Sequence, residues 1–247
     1  MHRSAPWLLA AGLAAISMGC GNDSPSSIPG VGASGATPPE GSDPTTADQV
    51  VSNKGVLFTK GNTMPFTGTL VDSWNAKNGG RKKYECAYIE GLKHGIEMRW
   101  HTNGTRSLRT EYTGGKQHGA RMEWHLNGAK KSHTQFAQGN PEGEARGWHD
   151  NAKPAFHGSY TNGLATGAVQ SWWKNGNRAT FQNHFNGKPT GPKVKWYPNG
   201  RTNSITIYQD GAQHGSSITW HPNGKKKMEL QFMPSSGWKR IARKELL

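Results

Sequence analysis

Cysteine is almost missing from this 247-residue chain, which has two in all, so no disulfide framework can be built. Acidic residues are scarce as well. Sixteen stand against thirty Lys and Arg, and they do not recur in phase, which leaves paired-carboxylate hydrolysis without candidates. Outside residues 5–18 no apolar run approaches the length that crosses a bilayer. The sequence also lacks a phosphate-cradling glycine loop followed by Lys and Ser or Thr, an HExxH zinc signature and a nucleophile elbow. Hydrophobic residues make up only 32%, too few for a thick two-layer core. These absences predict a chain that is not an enzyme, with no catalytic residues, no cofactor and no metal centre.

Glycine and tryptophan, by contrast, keep time. Glycine pairs fall at Gly91/Gly95, Gly115/Gly119, Gly139/Gly143, Gly163/Gly167, Gly187/Gly191 and Gly211/Gly215, a step of 24 residues each time. Both glycines of every pair are expected to be turn residues of the repeat. Trp100, Trp124, Trp148, Trp172, Trp196 and Trp220 keep the same step, and three residues after each stands Asn103, Asn127, Asn151, Asn175, Asn199 or Asn223. An aromatic column closes the unit at Tyr112, Phe136, Tyr160, Tyr208 and Phe232, with His184 the one exception. Six units without insertion or deletion define a repeat architecture.

Within a unit, Ile96, Met98 and Trp100 alternate with polar residues, the period-2 pattern of a half-buried strand. Asn103-Gly104 is a two-residue hairpin signal, because both positions tolerate positive φ. The Gly114-Gly115 to Gly119 stretch then turns the chain into the next hairpin. The fold class expected is all-β, an extended antiparallel sheet of hairpins. About fourteen strands at about 4.8 Å each make a ribbon on the order of 65 Å long. The Trp and Tyr/Phe columns are expected to share one grooved aromatic face. Unit three breaks the pattern, with Glu144 and Arg146 on the strand and Asn151-Ala152 at the turn. A local irregularity or bend over residues 139–154 is expected there.

The chain divides accordingly. Residues 1–19 have a short basic start and an apolar stretch that read as an export signal. They end at Ser17-Met18-Gly19-Cys20, which resembles a bacterial lipobox and makes Cys20 the candidate lipidation site. Residues 20–50 contain no aromatic, Lys or Arg and read as a disordered linker, with a mean span of roughly 30 Å. Residues 51–90 form an irregular N-terminal capping repeat in which Trp74 stands off the Trp column and Gly68 looks like the second glycine of a pair. Residues 91–234 are the six repeats. Residues 235–247 form a basic cap, where Trp238, Ile241 and Ala242 have helical spacing after Ser236.

Net charge is +14. The first fifty residues hold one base, Arg3, against Asp23, Glu40, Asp43 and Asp48, so the excess belongs to the repeat body. Such a field attracts acidic proteins, anionic lipid or glycan, or nucleic acid. Of the eleven histidines, His101, His125, His149 and His221 follow the Trp, while His94, His118 and His214 lie between the paired glycines. The two sets sit at opposite strand ends, about 20 Å apart, and read as surface residues of the repeat rather than metal ligands.

The run Gly91-Leu92-Lys93-His94-Gly95, then Trp100, Asn103-Gly104, Arg106 and Tyr112, resembles the bacterial variant of the MORN repeat often labelled a YwqK-type antitoxin component. Met64-Pro65-Phe66-Thr67-Gly68 is similar to that family's opening unit. The resemblance covers roughly residues 55–233. It implies an extended hairpin sheet that serves as a scaffold or docking surface. An export signal is at odds with a cytoplasmic antitoxin. The expectation is therefore a non-catalytic, lipid-anchored envelope protein, at the outer membrane or its periplasmic or surface face. Its partner would be an acidic protein or anionic envelope polymer rather than nucleic acid. Neutralisation of a toxin or effector is the alternative.

Overall fold

The computed structural model describes residues 44–74 and 80–232. The export signal, Cys20, most of the linker and the cap over 235–247 lie outside the described residues. An edge strand β1 (Thr45–Thr46) and a 3-10 turn (Ala47–Gln49) come first, then β2 (Val50–Asn53) and β3 (Val56–Thr59), paired as a small hairpin. Among the described residues the first strand, β1, lies inside the stretch expected as linker and pairs in parallel with β4 (Gly68–Ser73).

From β4 the chain runs up and down without a crossover. It continues through β5 (Lys82–Ile89), β6 (Leu92–Trp100), β7 (Arg106–Thr113), β8 (Lys116–Trp124) and β9 (Lys130–Ala137). Next come β10 (Asn140–Trp148), β11 (Pro154–Thr161), β12 (Leu164–Trp172) and β13 (Arg178–Phe185). The series closes with β14 (Lys188–Trp196), β15 (Thr202–Gln209), β16 (Ala212–Trp220) and β17 (Lys226–Phe232). Among the described residues these strands and β1 make one 15-stranded sheet, antiparallel except at β1, as the alternation required.

The two kinds of turn exchange the roles expected of them. The tight two-residue turn is at the first glycine of each pair. Gly114 and Gly115 both have positive φ there (54° and 78°), the mirror-image turn that matches strand twist. Asn103-Gly104 instead closes a longer loop. Gly104 N donates to His101 O at 2.9 Å and His101 N to Thr105 O at 2.8 Å, and only Gly104 takes positive φ. Asn103 is held differently, its Oδ1 accepting from Thr105 N at 3.0 Å.

The expectation that both glycines of a pair are turn residues therefore holds for the first of each pair and fails for the second. Gly95, Gly119, Gly143, Gly167, Gly191 and Gly215 all lie inside strands, in β6, β8, β10, β12, β14 and β16. Each sits at a β-bulge against the preceding strand. In β6 the chain advances three residues, from His94 to Glu97, while β5 moves back one, from Ala87 to Cys86. The two extra residues must be folded into the ladder, and the backbone does so by turning to positive φ at Gly95 (68°). Spacing alone suggested a turn because a bulge and a turn ask for the same left-handed conformation.

Unit three keeps the register of its neighbours, and its irregularity is confined to the loop. Ala152 N donates to His149 O at 2.9 Å and takes φ 62°, so alanine adopts the glycine's conformation and the loop is kept. The register shifts of β10 fall where those of the other units do. Gly158 leaves room for the Phe156 ring, whose Cζ would be 3.1 Å from a Cβ there, and a Cβ on Gly147 would meet the Phe156 Cβ at 3.2 Å.

In the opening unit Gly68 pairs with Tyr88 as Gly95 pairs with Tyr112, so it is the equivalent of a second glycine, as expected. Trp74 N donates to Arg81 O, the closure that His101 makes with Thr105 over fewer residues, so the extra residues lie in this loop. The compact core is here, where Phe66, Leu70, Cys86 and Tyr88 are buried together.

Candidate binding face

Strand alternation and register together decide which side chains share a face. Gly95 pairs with Tyr112, Glu97 with Thr110 and Arg99 with Leu108, so the Tyr/Phe column lies with these residues. Trp100, one position beyond Arg99, points the other way with Met98 and Ile96. The aromatic columns therefore occupy opposite faces, not the single groove expected. Alternation alone divides them, since Trp100 follows Arg99 directly while Arg99 shares its face with Leu108, four positions from Tyr112, and the bulge between Arg99 and Trp100 only sets Arg106 opposite the indole.

On the indole face each Trp is opposed across the ladder by the first residue of the next strand. Trp100 pairs with Arg106, Trp124 with Lys130, Trp172 with Arg178 and Trp220 with Lys226. Pro154 and Thr202 take that slot opposite Trp148 and Trp196. Lys82 begins the series, its Nζ 5.4 Å from the centre of the Trp100 ring, within cation–π range. The result is a single file of half-buried indoles interleaved with cations. Lys82 and Lys226 are paired with Glu85 and Glu229. Arg106, Lys130 and Arg178 are exposed and have no ion-pair or hydrogen-bond partner among the described residues. Where Pro154 replaces the cation, a recess of about 290 Å³ opens between Trp148 and Trp172, with Arg146 and His157 at its side.

The residue after each Trp ties one unit to the next. His101 Nε2 is 3.1 Å from Trp124 O, His125 Nε2 2.9 Å from Trp148 O and His149 Nε2 2.8 Å from Trp172 O. Trp173 Nε1 donates to Trp196 O at 3.1 Å and Tyr197 OH to Trp220 O at 2.8 Å. Trp74 does the same toward Trp100 O at 3.4 Å, so it belongs to this column and not to the Trp column. A second rail runs beside the first. The Asn103, Asn127 and Asn151 amides donate to the carbonyls of Leu126, Asp150 and Lys174 at 2.8–2.9 Å. These roles were not read from the sequence. The signal was there, since every residue in the column after Trp carries a ring N–H or O–H.

Compared with family models, residues 213–233 match the MORN repeat variant. That match falls within the sixth unit, and the unbroken 24-residue phase extends the assignment to the other five. These are MORN-variant repeats. A comparison with curated proteins finds no match. A MORN array folded as a repeating sheet suits a scaffold or binding role.

The opposite face of the MORN array is polar along its midline. Leu70, Cys86, Glu97, Thr110, Arg121, Thr134 and Ala145 form one row by register. The Glu97 side chain is fully buried and bonded to Lys93 Nζ at 2.7 Å and to Arg99 Nε. Burial pushes its carboxyl pKa up, but the Lys93 and Arg99 charges outweigh that and hold it below the usual glutamate range. Lys93 responds in the opposite sense. Burial lowers its pKa, and the hydrogen bond and charge of Glu97 raise it above the ordinary value. The same ammonium lies 5.0 Å from the Tyr112 ring and 5.7 Å from Tyr84. Burial raises the Cys86 thiol to about 11, which keeps it protonated and unreactive.

Proposed function

We propose that this protein is a non-catalytic scaffold of the cell envelope, held to a membrane by a lipid on Cys20. The residues up to Thr45 act as a tether, and the MORN-variant sheet offers its indole face to an acidic protein or an anionic envelope polymer. The observation that carries the reading is the file of exposed, unpaired Arg106, Lys130 and Arg178 between successive indoles. An unpaired cation beside an aromatic ring has no evident task in holding the sheet, and the pairing of both is what anionic ligands with an apolar surface require.

Two measurements test it. Cys20→Ala should move the protein from the membrane pellet to the soluble fraction, and a variant that stays in the pellet removes the anchor. Immobilised full-length chain should retain poly-L-glutamate at low salt and release it as salt rises. Reversal of Arg106, Lys130 and Arg178 to Glu should abolish that retention. Equal retention by the reversed variant sinks the binding reading.

A further inference from the structure

From the spacing on the indole face we infer the ligand class, and this rests on the binding reading above: a β-1,4-linked glycan that carries one carboxylate per disaccharide. Successive indoles stand two strands apart, about 10 Å, and the cation slot falls on the strand between them. An extended β-1,4-linked chain repeats every second sugar at the same interval. One ring of each disaccharide lays its C–H face on an indole. The carboxylate of the other reaches the Lys or Arg between.

The alternatives fit the interval less well. An extended polypeptide returns a side chain to the same side every 6.8 Å or so, out of step with the indoles. Single-stranded nucleic acid brings a base and a phosphate with every nucleotide and stacks ring on ring, whereas here the rings stand two strands apart with a cation in three of the five slots between them. A lipid surface has no fixed period for a ladder to match. Two of the five slots carry no cation, Pro154 and Thr202, so the ligand's carboxylates are met at three. Between Trp148 and Trp172 the cation gives way to Pro154 and the recess opens. The cation at its side is already engaged, Arg146 Nη2 with Glu144 at 2.5 Å, and His157 Nε2 lies 3.7 Å from the same carboxylate without a hydrogen bond.

The test uses the full-length chain with peptide-free glycan strands of bacterial cell wall, which are β-1,4-linked with a lactyl carboxylate on alternate sugars. Binding is read by the change in tryptophan fluorescence. Free-carboxylate strands should bind, and the same strands with their carboxylates amidated should bind about tenfold more weakly. The triple variant Arg106→Gln, Lys130→Gln, Arg178→Gln should also weaken binding about tenfold, since three exposed contacts of modest size are lost. Circular dichroism should be unchanged, because none of the three side chains holds the sheet together. Equal affinity for free and amidated strands, or an unaffected triple variant, overturns the inference. So does binding to oligothymidylate or to phosphatidylglycerol vesicles in place of the glycan. If poly-L-glutamate is retained and the glycan is not, this assignment fails while the broader reading stands. If neither binds, both fail.

Discussion

Glu97 is the residue on which the polar midline turns. Its side chain is 0% exposed, and an isolated carboxylate there would cost several kcal/mol. Lys93 and Arg99 offset that cost, and both partners agree in sign, the acid lowered and the base raised. A carboxyl with a depressed pKa adds stability that is present above its unfolded value, 4.5, and lost as pH falls through the folded one. A raised lysine adds stability that is present below its unfolded value, 10.5, and lost as pH rises beyond it. The pair therefore contributes in full between those limits. Glu97→Gln should destabilise the protein by about 1–3 kcal/mol near neutrality, less than for a wholly buried pair because Lys93 is a quarter exposed. Urea unfolding of both proteins across a pH series checks it. The gap should close well below pH 4.5, and a gap that persists there assigns the loss to packing and not to charge.

At the scale of the element, strands were legible in the sequence because alternation and burial obey the same period of two. The turns were legible as turns but not as types. Asn-Gly is permissive enough for either loop, and the choice depends on the bulge that ends the preceding strand. The division of the faces depends on no bulge and was there to be counted. Trp100 stands five positions from Gly95, an odd interval, so with Gly95 opposite Tyr112 the indole and the tyrosine point to opposite sides whatever the turn does. The chain of side chain to carbonyl bonds left only half a signal, a column of ring N–H and O–H donors. Its acceptors are backbone oxygens, which have no sequence signature, and its donors differ chemically at His149, Trp173 and Tyr197. Unit three shows what backbone geometry can impose on an unsuited residue. Ala152 sits at φ 62°, where an L-residue pays on the order of 1–2 kcal/mol relative to right-handed backbone. Ala152→Gly should raise stability by about 1 kcal/mol, the relief of strain less the added chain entropy of glycine. A thermal unfolding midpoint that does not rise would mean the loop tolerates alanine without strain.

At the scale of the whole sheet, each unit touches only its neighbours, so stability should be close to a sum over units and their junctions. The junctions are made in a way that ignores the identity of the next unit. His125 and Asn127 donate to the backbone carbonyls of Trp148 and Asp150, and any unit in phase presents the same two carbonyls. Removal of residues 139–162, one whole period, should therefore leave a folded protein. β9 would then pair with β12, His125 would meet Trp172 O and Asn127 would meet Lys174 O. The expected signs are an unchanged far-UV spectrum per residue and a smaller urea m-value, since less surface is exposed on unfolding. Removal of 139–161 leaves the chain one residue out of phase. Every later indole would then face the polar side and every later Tyr or Phe the indole side, and that protein should fail to fold or should aggregate. Equal stability of the two deletions would show that register is set by something other than the 24-residue phase.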